Sequence, residues 1–488
     1  MTDPKNVLVL MSDEHSRKIL GCNGDGVVKT PNLDTLAARG VNFRNAYCNS
    51  PVCVPARAVF ATGQYLNTMG YWDNADPYDG EVMSWHRRLR EAGHQVVSIG
   101  KLHFRSEADD YGFTDSKVPM HVIDGKGDLM GLIRDDLPRR GGAWKMAQLA
   151  GPGESSYTTY DRNITALAQT WLYEAAPKYK DKPWVLFVSL VAPHFPLTAP
   201  PEHFYRYYND ENLPWPKLYD QARRPDHPFL KDYRGSFIYD EFFDSDDSVR
   251  RAVAGYYGLV SFLDENIGKV LHALEDTGLS ENTRVIYTSD HGDNLGARGL
   301  WGKSTLYEES AGVPAIMAGP GVPRGKVVET PVTHVDFYQT ILQAAGVELN
   351  EFEKRLPGTA LDVIAEAQGS PRIAFCEYHG MGSTTGAFMV SDARYKYVFY
   401  VDYSAQFFDL KNDPEELNDL GADPDPANVE LMEYYHSRLE EICDPYAINA
   451  RAKNRQAQQL DANGGREKVI ERGDLGFSTP PGVSADFS

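Results

Sequence analysis

The chain has 488 residues, 42% hydrophobic and 24% charged, the make-up of an ordinary soluble globule long enough for a large core and a second, smaller domain. Its 69 acidic against 49 basic residues give a net charge of −20, which argues against nucleic acid and anionic membrane as partners and leaves any pull on an anionic substrate to local groups. Five scattered cysteines imply no disulfide framework, no apolar run approaches membrane-spanning length, and no leader-like stretch is recognisable, so a cytoplasmic location is expected.

Residues 6–11 (NVLVLM) read as a buried strand, with Asp13 and Glu14 just beyond it. Residues 53–63 read CVPARAVFATG. Pro55 suits a first helical turn and Gly63 a helix stop, so Cys53 is predicted at or next to an N-cap, where free N–H groups and the helix dipole favour an anion. Arg57, four residues on, shares that face and brings a planar, permanent charge suited to a tetrahedral oxyanion. Together they read as a nucleophile aimed at sulfate or phosphate. Residues 96–99 form a second apolar run, leading into Gly100, Lys101 and His103, and residues 184–191 (WVLFVSLV) a third, leading into His194. Apolar residues three or four apart from Val249 to Leu274 predict a long helix behind Ser248 as its cap. Residues 284–289 (RVIYTS) are the fourth run, followed directly by Asp290 and His291. A further helix is expected from Thr333, with Asp336 completing a capping box, to Gly346.

Alternating strands and helices predict a largely parallel α/β sheet, in which ligands bind beyond the carboxyl ends of the strands. Four strand ends carrying Asp13, Lys101, His194 and the Asp290-His291 pair would then meet at one site. Taken singly, Asp13 also suits a turn cap and Asp290-His291-Gly292 an ordinary strand-to-helix loop. Two carboxylates and an imidazole suit a divalent cation, Ca²⁺, Mg²⁺ or Mn²⁺, and the imidazole tilts the choice toward Mn²⁺ over Ca²⁺. Glu14 is the doubtful ligand, because neighbours on an extended strand point to opposite faces. The core domain is expected over 1–365, ending at a polar linker, 366–371. A small C-terminal subdomain over 366–443 should hold an antiparallel sheet and a closing helix. The polar stretch 444–488 reads either as a loose tail or as an arm docking on a neighbouring subunit through Leu475, Phe477 and Phe487.

The CxPxRx4TG string at 53–63 resembles the signature of the sulfatase family in the alkaline phosphatase superfamily, a signature shared by phosphonate monoester hydrolases. The resemblance implies a three-layer α/β sandwich with a large mixed, mostly parallel sheet plus a small C-terminal antiparallel sheet. It also implies conversion of Cys53 to formylglycine by a maturation enzyme, and a metal shell of Asp13, Asp290, His291 and the modified Cys53. The family's GK.H element matches Gly100, Lys101 and His103; its histidine after a middle strand matches His194, and its later lysine matches Lys303. In the mechanism so implied, Arg57 and the metal activate a hydroxyl of the aldehyde hydrate and neutralise the substrate's oxygens. Lys101, Lys303 and Asn74 hold the transferring group, His194 or Lys303 assists the leaving alkoxide, and His103 takes the last proton. Asp13-Glu14, Asp290-His291 and Asn74 look closer to choline sulfatases and phosphonate monoester hydrolases than to most sulfatases. The expected function is sulfate ester hydrolysis by a homo-oligomer, dimer or tetramer, with phosphonate or phosphodiester hydrolysis as the alternative and a noncatalytic binding protein as the third reading.

Overall fold

In the computed structural model, which describes residues 4–367, 369–422 and 424–487, the four apolar runs lie side by side in one eight-stranded sheet. Its strands in chain order are β1 (Asn6–Asp13), β2 (Gly40–Phe43), β3 (Gln95–Lys101), β4 (Asp115–Met120), β5 (Trp184–Pro193), β6 (Thr283–Ser289), β7 (Ala315–Ala318) and β8 (Lys326–Val328). Across the sheet they run β8-β2-β7-β6-β1-β5-β3-β4. Only β7 opposes its neighbours; β6, β1, β5 and β3 are mutually parallel, so their carboxyl ends share one edge.

Alternation along β1 explains the three layers. Val7, Val9 and Met11 point into one core with α2 (Cys53–Thr62) and α5 (Val335–Ala344). Leu8 and Leu10 point into the other with α1 (Pro31–Ala38), α3 (Ser156–Glu174) and α4 (Asp246–Asp276). A strand apolar on both faces can be held only between two helical layers, each filled aliphatic position contributing about 1.5–3 kcal/mol. The α4 cap lies three residues before the expected one: Ser245 is the N-cap and Ser248 its reciprocal partner in a capping box. In α5 the Asp336 carboxylate accepts the Thr333 N–H (2.7 Å), and His334 occupies the cap position.

The small sheet, β9 (Ala374–Tyr378), β10 (Ala387–Ser391), β11 (Tyr395–Tyr400) and β12 (Tyr403–Asp409), is antiparallel throughout. Helix α6 (Pro426–Glu440) covers one of its faces, and Ala374, Cys376, Met389 and Val398 on the other continue the large core. Residues 444–487 are largely helical, as α7 (Pro445–Ala462) and α8 (Gly465–Arg472), and then cross the chain's own strand-end crevice. No helix among the described residues is long and apolar enough to cross a membrane.

Candidate active site

Each reactive side chain is delivered by a strand end or by α2. The N-cap of α2 is Val52, in extended backbone, so Cys53 is the first helical residue, and Gly63 closes the helix with φ 67°. Gly100 has φ 102°, and a Cβ there would lie 2.2 Å from the Ser189 carbonyl oxygen, so only glycine lets β3 turn Lys101 into the crevice. Asp161 on α3 accepts the N–H groups of Val191 (2.7 Å) and Ala192 (2.8 Å), pinning the end of β5 from which His194 projects.

Asp13, Cys53, Asp290 and His291 form a buried cluster whose donor atoms all lie within 4.8 Å of one another. Arg57 binds Asp290 Oδ2 through Nε (2.8 Å) and Asp13 Oδ2 through one terminal nitrogen (3.0 Å). The other terminal nitrogen donates to the Lys101 carbonyl and to Ser189 Oγ, both at 2.9 Å. Arg57 therefore faces the carboxylates and does not line the cavity, unlike the oxyanion-facing orientation expected from its helical register. Its reach past the helix mouth to the strand ends makes the difference.

The second carboxylate oxygens turn inward, with Asp13 Oδ1 3.9 Å and Asp290 Oδ1 3.7 Å from His291 Nε2. His291 Nδ1 pairs with the Gly292 carbonyl (2.9 Å), which fixes the proton on Nδ1 and directs the Nε2 lone pair at the cluster. Burial pushes Asp13 up, but the charges of Lys101 (2.5 Å), Arg57 and Lys303 outweigh it and hold the carboxyl well below the usual carboxylate range.

Cys53 Sγ sits 3.0 Å from Lys303 Nζ, 3.2 Å from His291 Nε2 and 3.8 Å from Asp13 Oδ1. Burial raises its thiol pKa. Lys303 Nζ also donates to His194 Nε2 (2.8 Å) and lies 3.2 Å from Glu14 Oε2. Burial opposes the charge on Lys303, yet Cys53, Glu14 and Asp13 around it raise its pKa well above normal. His194 Nδ1 is engaged by the Phe195 carbonyl (2.6 Å), and burial followed by Lys303 drives its pKa well down, so the ring is neutral. His103 is neutral for the same first reason, with Lys101 as its second. Asn74 Oδ1 caps α2 by accepting the Val54 N–H (3.1 Å), which leaves its amide donors for a ligand.

Glu14 departs from the expected geometry. It lies past the end of β1 with φ 70°, so strand alternation no longer governs it, and its carboxylate returns to the crevice. There it groups with Asp13 and His194 rather than with Asp290 and His291, and burial raises its pKa well above the ordinary value.

The cavity over Cys53 is lined by Asn74, Lys101, His103, His194 and Lys303 on the anion-facing side and by aromatic residues, among them Phe195, Tyr233 and Phe237, beyond. Its far wall contains a segment that sequence reasoning did not place here, Asp474–Ser478 of the same chain. Asp474 is held by Arg140 (2.6 Å) and by the Gly142 N–H (2.9 Å). No local motif marks these residues, and only the apolar Leu475 and Phe477 hinted that the tail packs on something.

Comparison with known proteins agrees with this arrangement. Residues 5–347 match the Sulfatase family, and residues 296–444 match the family described as N-sulphoglucosamine sulphohydrolase, C-terminal. A choline-sulfatase of Rhizobium meliloti is 29% identical over 468 residues, 94% of this chain and 90% of its own. An uncharacterized sulfatase of Escherichia coli, YidJ, is 30% identical over 462 residues, 90% of this chain and 88% of its own. The crystal structure of a phosphonate monoester hydrolase of Agrobacterium radiobacter shares the fold, with a TM-score of 0.71 at 23% identity over 92% of this chain and 96% of that one. With the family match spanning most of its length, this chain belongs to the sulfatase family, whose members hydrolyse sulfate esters.

Proposed function

We propose that the chain cleaves sulfate esters through a formylglycine hydrate made from Cys53, with one divalent cation held by Asp13, Asp290, His291 and residue 53. The observation that carries this reading is the convergence on Cys53 Sγ of Lys303, His291 and Asp13 within 3.8 Å. The donor set suits a cation: two carboxylates, an imidazole lone pair and residue 53, with Arg57 balancing charge behind them. An imidazole among oxygens favours Mn²⁺ over Ca²⁺, with Mg²⁺ third. When bound, the cation supplies Lewis acidity and lowers the pKa of an adjacent hydroxyl. The hydrate supplies two hydroxyls, one to attack and one to give up a proton, where a thiol has no second group. At 1% exposure Cys53 is out of reach in the folded chain, so the maturation enzyme acts before folding is complete.

The chain's own groups then divide the work. Lys101, Lys303 and Asn74 bind the sulfo oxygens. Lys303 gives a proton to the leaving alkoxide, and His194, neutral and accepting from Lys303, orients that ammonium. His103 is the base for the final proton. The aromatic wall suits an aryl or compact alcohol, and the charged groups there, Arg140 with both Asp128 and Asp474, leave one carboxylate charge in excess, which disfavours an anionic alcohol. Hydrolysis of phosphonate monoesters or phosphodiesters is the second reading, favoured by the shared fold of the Agrobacterium enzyme. Rates on an aryl sulfate, a phosphodiester and a phosphonate monoester order the two, and the sulfate is expected to be fastest. Cys53→Ala is expected to lose nearly all aryl sulfate turnover; activity close to wild type contradicts the proposal.

A further inference from the structure

His103 is presented on strained backbone, φ 58°, and its ring has one hydrogen-bond partner: Nε2 lies 2.8 Å from Ser478 Oγ. The other ring nitrogen, Nδ1, is buried without a partner. A neutral imidazole in a dry wall needs at least one fixed bond to choose its orientation, because an unanchored ring can turn and exchange its two nitrogens at little cost. Ser478 supplies that bond from 375 residues away in sequence.

The serine is itself held from several sides. Its carbonyl accepts the Tyr157 hydroxyl. Phe477 beside it packs edge-on against Tyr157 (5.3 Å between centroids, 64°) and Phe195 (5.8 Å, 88°). Four residues earlier, Asp474 is clamped by Arg140 and the Gly142 N–H, and Gly476, at φ 67°, makes the turn between the two anchors. The segment is thus a fixed strap, and Ser478 as a residue is only 6% exposed. A hydroxyl both donates and accepts, so it stays bonded to Nε2 whether His103 is neutral or has just received a proton.

We infer that Ser478 is a positioning residue for His103, and that the C-terminal strap is therefore part of the catalytic apparatus of its own chain. This rests on the role proposed above for His103 as the final proton acceptor. Among the described residues no hydrogen bond joins the strap to the donor cluster or to Lys101, Lys303 and Asn74, so Ser478 should act on turnover and leave substrate capture by those three intact.

The test compares wild type, Ser478→Ala and Ser478→Thr, each with the same formylglycine occupancy at residue 53 by peptide mass. Loss of one buried hydrogen bond predicts a fall in kcat of about tenfold in the alanine variant, with KM within about twofold and kcat largely restored by threonine. In the unmodified Cys53 protein, the ¹⁵N shifts of the His103 imidazole should change in Ser478→Ala and return in Ser478→Thr. Unchanged kcat and unchanged imidazole shifts in Ser478→Ala overturn the inference. So does an equal loss in both variants accompanied by a raised KM, which would mean that the strap only shapes the binding cavity. Absence of sulfate ester turnover in the wild type would fail the parent reading instead, and the imidazole shifts would still decide whether Ser478 fixes His103.

Discussion

Arg57→Lys probes the buried scaffold of the site most sharply. The guanidinium makes four hydrogen bonds, two to separate carboxylates and two to the Lys101 carbonyl and Ser189 Oγ. A lysine has a single nitrogen and cannot span Asp13 and Asp290 together; Asp13 keeps Lys101 at 2.5 Å, whereas Asp290, wholly buried, loses the guanidinium held 2.8 Å away. Breaking a buried pair of this kind costs about 3–5 kcal/mol, far more than a surface pair, because the remaining charge stays out of water. Urea unfolding of metal-free protein should show a loss of that size. Loading with Mn²⁺ should shrink it, since the cation supplies positive charge to the same two carboxylates. A loss below about 1 kcal/mol, the range of an exposed pair, would refute the reasoning. So would a loss of equal size with and without metal, because the carboxylates would then not be shared between Arg57 and the cation.

Three further outcomes are expected. Lys303→Met should lower kcat by roughly 10²–10⁴, the range of general acid catalysis, and the loss should grow with the pKa of the leaving alcohol; a loss independent of the leaving group would remove Lys303 as the proton donor. Dialysis against a chelator should abolish turnover, with Mn²⁺ restoring more of it than Ca²⁺; full activity in demonstrably metal-free enzyme would contradict the assigned donor set. His86, buried and stacked on Phe113 (4.3 Å, 17°), has its pKa pushed from 6.5 down to about 3 by burial. Between those values the unfolded chain binds the proton and the native one does not, so stability falls as pH falls, by about 1.4 kcal/mol per pH unit. The stability difference between wild type and His86→Gln should therefore narrow by about 2 kcal/mol from pH 6.5 to 5, and a pH-independent difference would argue against a neutral native His86.

The parts of this molecule that sequence makes legible are those where one physical demand dominates. Strands β1, β3, β5 and β6 are buried on both faces, so they must be unbroken apolar runs, and their ends carry Asp13, Lys101, His194 and Asp290 to one edge. The helix-start chemistry of Pro55 and the stop at Gly63 likewise fixed the placing of Cys53. Short or edge strands are not legible: β2, β7 and β8 have three or four residues each, and β4, at the sheet margin, is half polar with only its last residue buried. Strand alternation cannot place the Glu14 carboxylate, because Glu14 lies one residue beyond β1, where φ changes sign. Arg57 was given its helical face correctly, but its length takes the charge past the helix mouth to two strand ends, which register alone does not show. The bond between His103 and Ser478 joins residues 375 apart without any motif, and only the folded chain brings them together. The tail was weighed as loose or as an arm for a neighbour; its polar character belongs to the outer faces of α7 and α8, while Leu475 and Phe477 turn onto the same chain's crevice.

The central claim is that a converted residue 53 is the nucleophile for sulfate ester cleavage. Preparations with graded formylglycine occupancy, measured by peptide mass, can each be assayed for inorganic sulfate released from an aryl sulfate at saturating Mn²⁺. The rate per chain should rise in direct proportion to the converted fraction and extrapolate to zero for the pure Cys53 form. A rate that is independent of occupancy, or highest for the unconverted thiol, would contradict it.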